Sequence, residues 1–447
     1  MSITDDFALA AKQYIEQINN GTVYPGKAAI DGLKAFDTPL QEEPADAGEV
    51  FALLHQYGSP ATVKSTGGRY YGFVVGGSLP AAVGAKLLAT VWDQNAGLTV
   101  MSPVSAALEN ITGKWLLDIF GLPPDCGFGF ATGDTMANFT ALAAARHTVL
   151  KNAGWDAEAK GLFNAPEITV IVGDEVHVSV LKTLSMLGLG RERIIRVPAD
   201  GQGRMIAGEI PVTDAPAIIC AQSGNVNSGS FDDIEAVCAR KGKNTWVHVD
   251  GAFGLWAAAS PQKKHLVHGI ELADSWATDA HKWLNVPYDC GIVVVRNREA
   301  LFNAMSATTA AYIPTDAARE PFLYVPEMSR QARAVPVWAA LKSLGKKGLA
   351  NLIDGNCRQA EQFAAGLAAA GFTVLNDVVL NQVLVNFGDA EQTQAVIRKV
   401  QEEGVCWCGG TVWQGKPAMR ISVSSWATTD EDVRLSLESI VRCAGKR

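Results

Sequence analysis

Residues 276–291 read WATDAHKWLNVPYDCG, and one lysine, Lys282, stands there between His281 and the apolar pair Trp283 and Leu284. A lysine in apolar company usually lays its stem along the surface and keeps its ammonium in water, among other charges. Here the nearest charges are Asp279 and Asp289, and the CGIVVVR that follows at 290–296 reads as a buried strand. The stretch predicts a lysine held in the interior for chemistry.

Working outward, short apolar runs alternate with helical segments from about residue 61 to 300: EITVIVGDE (167–175), RIIRVPAD (193–200), PAIICAQSG (216–224) and TWVHVDGAFG (245–254). Apolar strands separated by helices predict a mostly parallel sheet covered on both faces. Residues 330–370, rich in Ala, Leu and Lys, predict long helices, and LNQVLVNFG (380–388) with MRISVS (419–424) predicts a smaller sheet. The expected architecture is α/β: an N-terminal arm over 1–60, a large domain over 61–330 and a small α+β domain over 331–447.

Composition narrows the function. The 447 residues are 48% hydrophobic and 19% charged with net charge -8, and no lysine- and arginine-rich block marks a nucleic-acid footprint. The eight cysteines are scattered, and the only close pair, Cys406 and Cys408, has neither zinc-knuckle nor disulfide-framework spacing. The first 21 residues are acidic and amphipathic, and the apolar run 72–91 is broken by glycines, Pro80 and Lys86. These features predict a reduced, cytoplasmic protein with no nucleic acid, membrane or metal partner. The chain has no G-x-G-x-x-G after a strand and no G-x-x-x-x-G-K-[ST], which argues against a nicotinamide dehydrogenase and a nucleoside triphosphatase.

In an open α/β sheet, ligands bind at the carboxyl ends of the strands. TWVHV ends in Asp250, EITVIVG leads to His177, and ATGDTMANFTALAAAR (131–146) sets Thr132, Gly133, Asp134 and Thr135 where a helix starts. Free N–H groups of a helix start bind phosphate. A lysine for a Schiff base, a carboxylate to keep a pyridine nitrogen protonated and a phosphate cradle together fit pyridoxal 5′-phosphate. Each residue also has a plainer reading: Asp250 suits a helix cap, His177 an ordinary strand-end position, and His281 a bond to a backbone carbonyl.

VHVDGAFGLW (247–256), DSWATDAHKW (274–283) and DEVHVSVLKTLSMLGLG (174–190) resemble the group II pyridoxal-phosphate decarboxylases, the family of aromatic amino acid, glutamate and histidine decarboxylases. The likeness runs from SPVSAALENITGKWLLDIFGLP (102–123) to the C-terminal tail. It implies a fold type I transferase with a seven-stranded sheet, and a homodimer whose sites lie at the subunit interface. It implies Lys282 as Schiff-base lysine, Asp250 at the ring nitrogen, His177 stacked on the ring and Ala252 on its other face. Gly133, Asp134 and Thr135 would lie at the phosphate, with Asp134 acting through its backbone, and His281 beside the lysine.

The implied reaction is decarboxylation of an amino acid. In the family a mobile loop carries a tyrosine that protonates the substrate carbon; here the region 306–333 is shortened, and Tyr312 and Tyr324 do not match its position. Carbon–carbon lyase, aldehyde synthase and aminotransferase chemistry on the same fold stay open. Arg420 and Arg330 are candidate clamps for a substrate carboxylate, with structural ion pairs as the alternative. Tyr71, Phe73 and Leu79 in RYYGFVVGGSLP (69–80) match the family's substrate-facing segment and lean towards an aromatic or apolar substrate.

Overall fold

The computed structural model describes residues 3–306 and 319–445. Seven strands form the large sheet: β1 (Gly127–Ala131), β2 (Thr169–Gly173), β3 (Ile195–Val197), β4 (Ala217–Gln222), β5 (Thr245–Asp250), β6 (Ser275–Asp279) and β7 (Gly291–Val295). Their order is β1-β7-β6-β5-β4-β2-β3, and β7 alone runs against its neighbours. Every residue of β1, β4, β6 and β7 is buried, which is why these strands read as unbroken apolar runs.

Helix Asp134–Asn152 lies across the middle of this sheet, and its Ala137, Ala141, Ala144 and Ala145 are fully buried, so small side chains let it approach closely. Three tryptophans, Trp256, Trp276 and Trp283, are fully buried in the core on the other side. Each aromatic side chain removed from water contributes on the order of 2–3 kcal/mol.

The small sheet is antiparallel, built from β8 (Thr373–Val374), β9 (Gln382–Asn386), β10 (Gly409–Trp413) and β11 (Lys416–Ser422) in the order β10-β11-β9-β8. The 36-residue helix Ala334–Ala369 joins the two cores: Val337, Leu341, Ile353 and Cys357 pack in the large one, Ala360, Phe363 and Leu367 in the small one. Gly345, at φ 59°, interrupts this helix in the left-handed region that a glycine adopts without strain. The segment following residue 60 also crosses over, because Tyr70 bridges to Trp407 and Tyr71 enters the small core.

The arm carries helices Ile3–Glu16, Lys27–Gly32 and Ala47–Gly58, held by edge-on ring contacts of Phe7 with Phe51 and of Phe36 with Tyr57. Neither of the last two helices contains a buried residue. Among the described residues, no helix is long and apolar enough to cross a membrane.

Candidate active site

The carboxyl ends of β2, β4, β5 and β6 meet the start of β7 and the N-terminus of helix Asp134–Asn152, and the expected residues gather there. Lys282 lies in the turn between β6 and β7. Trp283 and Leu284, both fully buried, anchor that turn in the core, with Trp283 Nε1 donating to Asn356 Oδ1 at 3.0 Å. The apolar neighbours that make Lys282 conspicuous in the sequence are therefore the pins that hold its turn.

Asp279, the last residue of β6, organises this corner. Its Oδ2 lies 2.9 Å from Lys282 Nζ and 3.5 Å from His281 Nε2, and its Oδ1 accepts the backbone N–H of Asp134 at 2.7 Å. His281 accepts the Cys290 N–H on Nδ1 at 3.2 Å. Asp289, the other charge near the lysine in sequence, turns away to Arg333, 3.1 Å distant.

Burial alone would lower the Lys282 pKa, but Asp279, Asp134 and Asp250 together outweigh it and hold the amine's pKa above its ordinary value. Burial, then Asp250 and Asp279, push the Asp134 carboxyl well above its ordinary 3.8. Its Oδ2 accepts from Asn138 Nδ2 at 2.8 Å, and its buried Oδ1 has no hydrogen-bond partner among the described residues. Asn138 is held in turn by His248, whose Nε2 lies 2.7 Å from Asn138 Oδ1 and whose Nδ1 lies 2.9 Å from Ser275 Oγ.

Asp250 ends β5, 4% exposed, and its Oδ1 accepts the Ala252 N–H at 3.1 Å. Ala252 is half-buried beside it, and its carbonyl accepts the N–H of Asp279 at 2.9 Å. His177 caps helix Val178–Met186, accepting the Ser179 N–H on Nδ1 at 3.3 Å, which leaves the neutral ring's proton on Nε2. Burial lowers its pKa, and the charges of Asp250, Lys282 and Arg420 act on it. Gly133 and Thr135 stand half-buried at the start of the long helix, with Gly133 close to the His281 ring.

The substrate-side expectations need correction. Tyr71 is fully buried in the small core, its ring edge-on to Phe363 and its hydroxyl 3.2 Å from Ser436 Oγ. Leu79 is 6% exposed in the large core, at the start of helix Pro80–Trp92. The stretch around Tyr71 pairs with that around Trp407, and alternate residues of an extended chain face opposite ways. Tyr71, Cys406 and Cys408 therefore point into the small core, while Tyr70 stacks on Trp407 at 5.1 Å. Phe73, 65% exposed, stacks on the same indole at 5.4 Å. Tyr70, Phe73 and Trp407 thus form one aromatic cluster.

Arg330 is no clamp either. Its side chain is fully buried, bonded to Glu109 Oε2 at 2.9 Å and the Phe130 carbonyl at 2.7 Å, with Arg319 on the other Glu109 oxygen at 3.0 Å. Arg420 is held inside, its pKa lowered by burial and its Nη1 donating to the Val226 carbonyl at 3.2 Å, and its charge acts on His177. Tyr324 is 5% exposed, with its hydroxyl accepting Arg298 Nε–H at 3.2 Å; Tyr312 lies outside the described residues.

Two residues that hold the lysine turn escaped the sequence reading: Asp279 and Asn285. Asp279 had a signal, since it ends its strand as Asp250 does. Asn285, fully buried at φ 57°, accepts the N–H groups of Gly77 (2.6 Å) and Trp426 (2.9 Å) and donates to the carbonyls of Trp283 (2.8 Å) and Ser424 (2.9 Å). It ties the lysine turn to the 72–79 loop and to the small domain. A Cβ at Gly76 in that loop would meet the Lys282 carbonyl at 1.7 Å, so only a glycine fits there.

The donor set suits pyridoxal phosphate. An amine, a strand-end carboxylate, a helix start and an imidazole converge, and Ser223 Oγ, next to Asp250 across the sheet edge, is buried without a partner among the described residues. The model of the pyridoxal-dependent decarboxylase conserved domain matches residues 33–387. An aromatic-L-amino-acid decarboxylase from Bacillus atrophaeus is 27% identical over 80% of this chain and 76% of its own. An acidic amino acid decarboxylase from Bos taurus is 28% identical over 70% of this chain, which spans 63% of that relative's length. Among solved structures, Oryza sativa TDC with PLP and tryptamine superposes with TM-score 0.91 at 19% identity, over 99% of this chain and 97% of that one. The match over most of the chain, on a fold with this lysine corner, makes the protein a member of the pyridoxal-dependent decarboxylase family and its chemistry that of a pyridoxal-phosphate-dependent amino acid carboxy-lyase.

Proposed function

We propose that the protein removes carbon dioxide from a free L-amino acid with an aromatic or apolar side chain, with pyridoxal phosphate held on Lys282. The observation that carries this is the Lys282 amine set among Asp279, Asp134 and Asp250 at the carboxyl edge of the sheet. When bound, the cofactor draws electrons from the bond at the substrate carbon; the chain's part is to hold, orient and exclude water. Asp250 would keep a positive charge at the ring nitrogen, and His177 and Ala252 would hold the ring. Gly133 and Thr135 would receive the phosphate beside His281; the Asp134 N–H, expected to join them, is already bonded to Asp279. Arg420 supplies the cation for a carboxylate. Tyr70, Phe73 and Trp407 favour the aromatic substrate class.

A homodimer is part of the reading, in a reducing, cytoplasmic setting where the eight cysteines stay free as they are here. The arm buries little of its own apolar surface: Leu9, Ile15, Leu40, Val50 and Leu54 are between 48% and 90% exposed. Light scattering of the full chain tests the dimer; an active monomer counts against it. The function is tested with an amino acid panel assayed for carbon dioxide, and with borohydride trapping of the cofactor. Lys282→Ala removes both signals, and covalent trapping at another lysine overturns the assignment.

A further inference from the structure

Residues 69–79 are fastened at both ends to elements far away in the sequence. At one end the Tyr71 N–H donates to the Trp407 carbonyl at 2.8 Å, the Trp407 N–H to the Arg69 carbonyl at 3.0 Å, and the Ser422 N–H to the Tyr71 carbonyl at 3.0 Å. These bonds tie residues 69–71 to the small domain. At the other end the Gly77 N–H donates to Asn285 Oδ1 at 2.6 Å and the Leu79 N–H to the Asn285 carbonyl at 2.8 Å, which ties the stretch to the lysine turn.

Between these anchors the backbone is strained. Phe73 and Val74 both lie in the left-handed region, at φ 54° and 57°, which disfavours non-glycine residues and β-branched ones above all. Such a pair persists only where its surroundings over-determine it. Val74 is buried in the large core. Phe73 has its ring in water on one side and stacked on Trp407 on the other, at 5.4 Å and 27°.

The same indole carries Tyr70 at 5.1 Å and 14°, and it comes so close to Gly72 that a Cβ there would lie 2.1 Å from Cζ3. Burial, then Tyr288 of the lysine turn, push the Tyr70 hydroxyl up to about 12. Three residues beyond Phe73, Gly76 packs on the Lys282 carbonyl, where a Cβ would meet the oxygen at 1.7 Å.

We propose that Trp407 is a positioning residue: from the small domain it clamps the 69–77 stretch in its strained form and so fixes the turn that carries Lys282. It acts through Phe73 and Gly76 and not on the reacting atoms. The proposal rests on Lys282 as the residue that holds pyridoxal phosphate. An indole suits the task because its wide face takes two aromatic partners, whereas an aliphatic side chain fills space without a face to stack on.

The test uses the full chain, first free of cofactor. Chymotrypsin cuts after aromatic residues, and a cut after Phe73 needs the residues around it to leave their folded path. Trp407→Ala speeds that cut about tenfold, the scale of one or two lost ring stacks, read from the fragment mass, while cuts elsewhere keep their rates. Trp407→Phe keeps a ring to stack and stays near the parent rate; Trp407→Leu fills much of the space and does not. Gly72→Ala, whose methyl meets the indole edge, behaves as Trp407→Ala does. With pyridoxal phosphate added, the Ala and Leu variants bind it about tenfold more weakly, by the same loss of stacking. The visible circular dichroism of the bound cofactor, which reports a fixed setting, weakens in those two and persists in Trp407→Phe. Borohydride trapping in the unaltered protein examines the Lys282 assignment by itself, and trapping at another lysine removes assignment and proposal together. With trapping on Lys282, an unchanged cut rate or cofactor affinity in Trp407→Ala overturns the proposal, and so does rescue by leucine as full as rescue by phenylalanine.

Discussion

One oxygen of Asp279 lies 2.9 Å from Lys282 Nζ and the other 2.7 Å from the Asp134 backbone nitrogen, so a single side chain holds the reactive amine against the helix start that faces it. Only an unprotonated amine attacks an aldehyde, and Asp279 is the strongest of the three carboxylates that keep this one protonated. Asp279→Asn retains the bond from Asp134 and lowers the lysine pKa. Capture of pyridoxal phosphate by the cofactor-free protein, followed by its visible absorbance, rises with pH, and the variant's curve lies at lower pH than that of the parent. Loss of the charged contact costs about 1.5–3 kcal/mol, read by denaturant unfolding.

Asp250→Asn keeps an acceptor for the Ala252 N–H and therefore preserves the fold. It removes the charge that would stabilise a protonated ring nitrogen. Turnover falls by roughly two orders of magnitude or more, the equivalent of about 3 kcal/mol at the transition state, while thermal stability changes little. Near-normal turnover would reduce Asp250 to the cap of its own turn.

The large sheet was legible because strands buried on both faces leave continuous apolar runs, and the strand-end positions of Asp250 and His177 follow from it. The failures have one physical origin, which is that facing is decided by distant partners. Tyr70 and Tyr71 are equivalent in the sequence, and only the pairing with Trp407 sets one against its indole and sends the other into the small core. Arg330 leaves a clamp and an ion pair both open in the sequence, and its distant partner Glu109 decides for the ion pair.

His248 gives the protein an acid-sensitive strut. Burial drops its pKa from 6.5 to about 3, so below 6.5 the unfolded chain binds a proton that the folded one refuses. Stability therefore falls as pH falls across that window, by about 1.4 kcal/mol per pH unit from this group. His248→Gln, which carries an amide between Asn138 and Ser275, flattens the slope. Thermal unfolding of the two proteins through the mildly acid range checks it; equal slopes refute it.

Asn285 sits where the lysine turn, the 72–79 loop and the small domain meet, and each of its four bonds ends on backbone. Asparagine suits the post twice over, since it tolerates positive φ and carries two donors and an acceptor in one plane. Asn285→Ala strands two buried N–H groups and two carbonyls, each costing about 1 kcal/mol or more, and leaves a non-glycine residue at φ 57° without its local bonds. A loss of roughly 3–5 kcal/mol follows, read by denaturant unfolding. Asn285→Asp keeps the two acceptor bonds but replaces the nitrogen that carries both donors with one oxygen that repels the two carbonyls, and it too destabilises. Because the same side chain seats Gly77, one residue from the Gly76 contact with Lys282, both variants also weaken cofactor retention in proportion. A variant that unfolds more easily yet binds pyridoxal phosphate as tightly as the parent would separate the loop's position from the lysine's and count against this coupling.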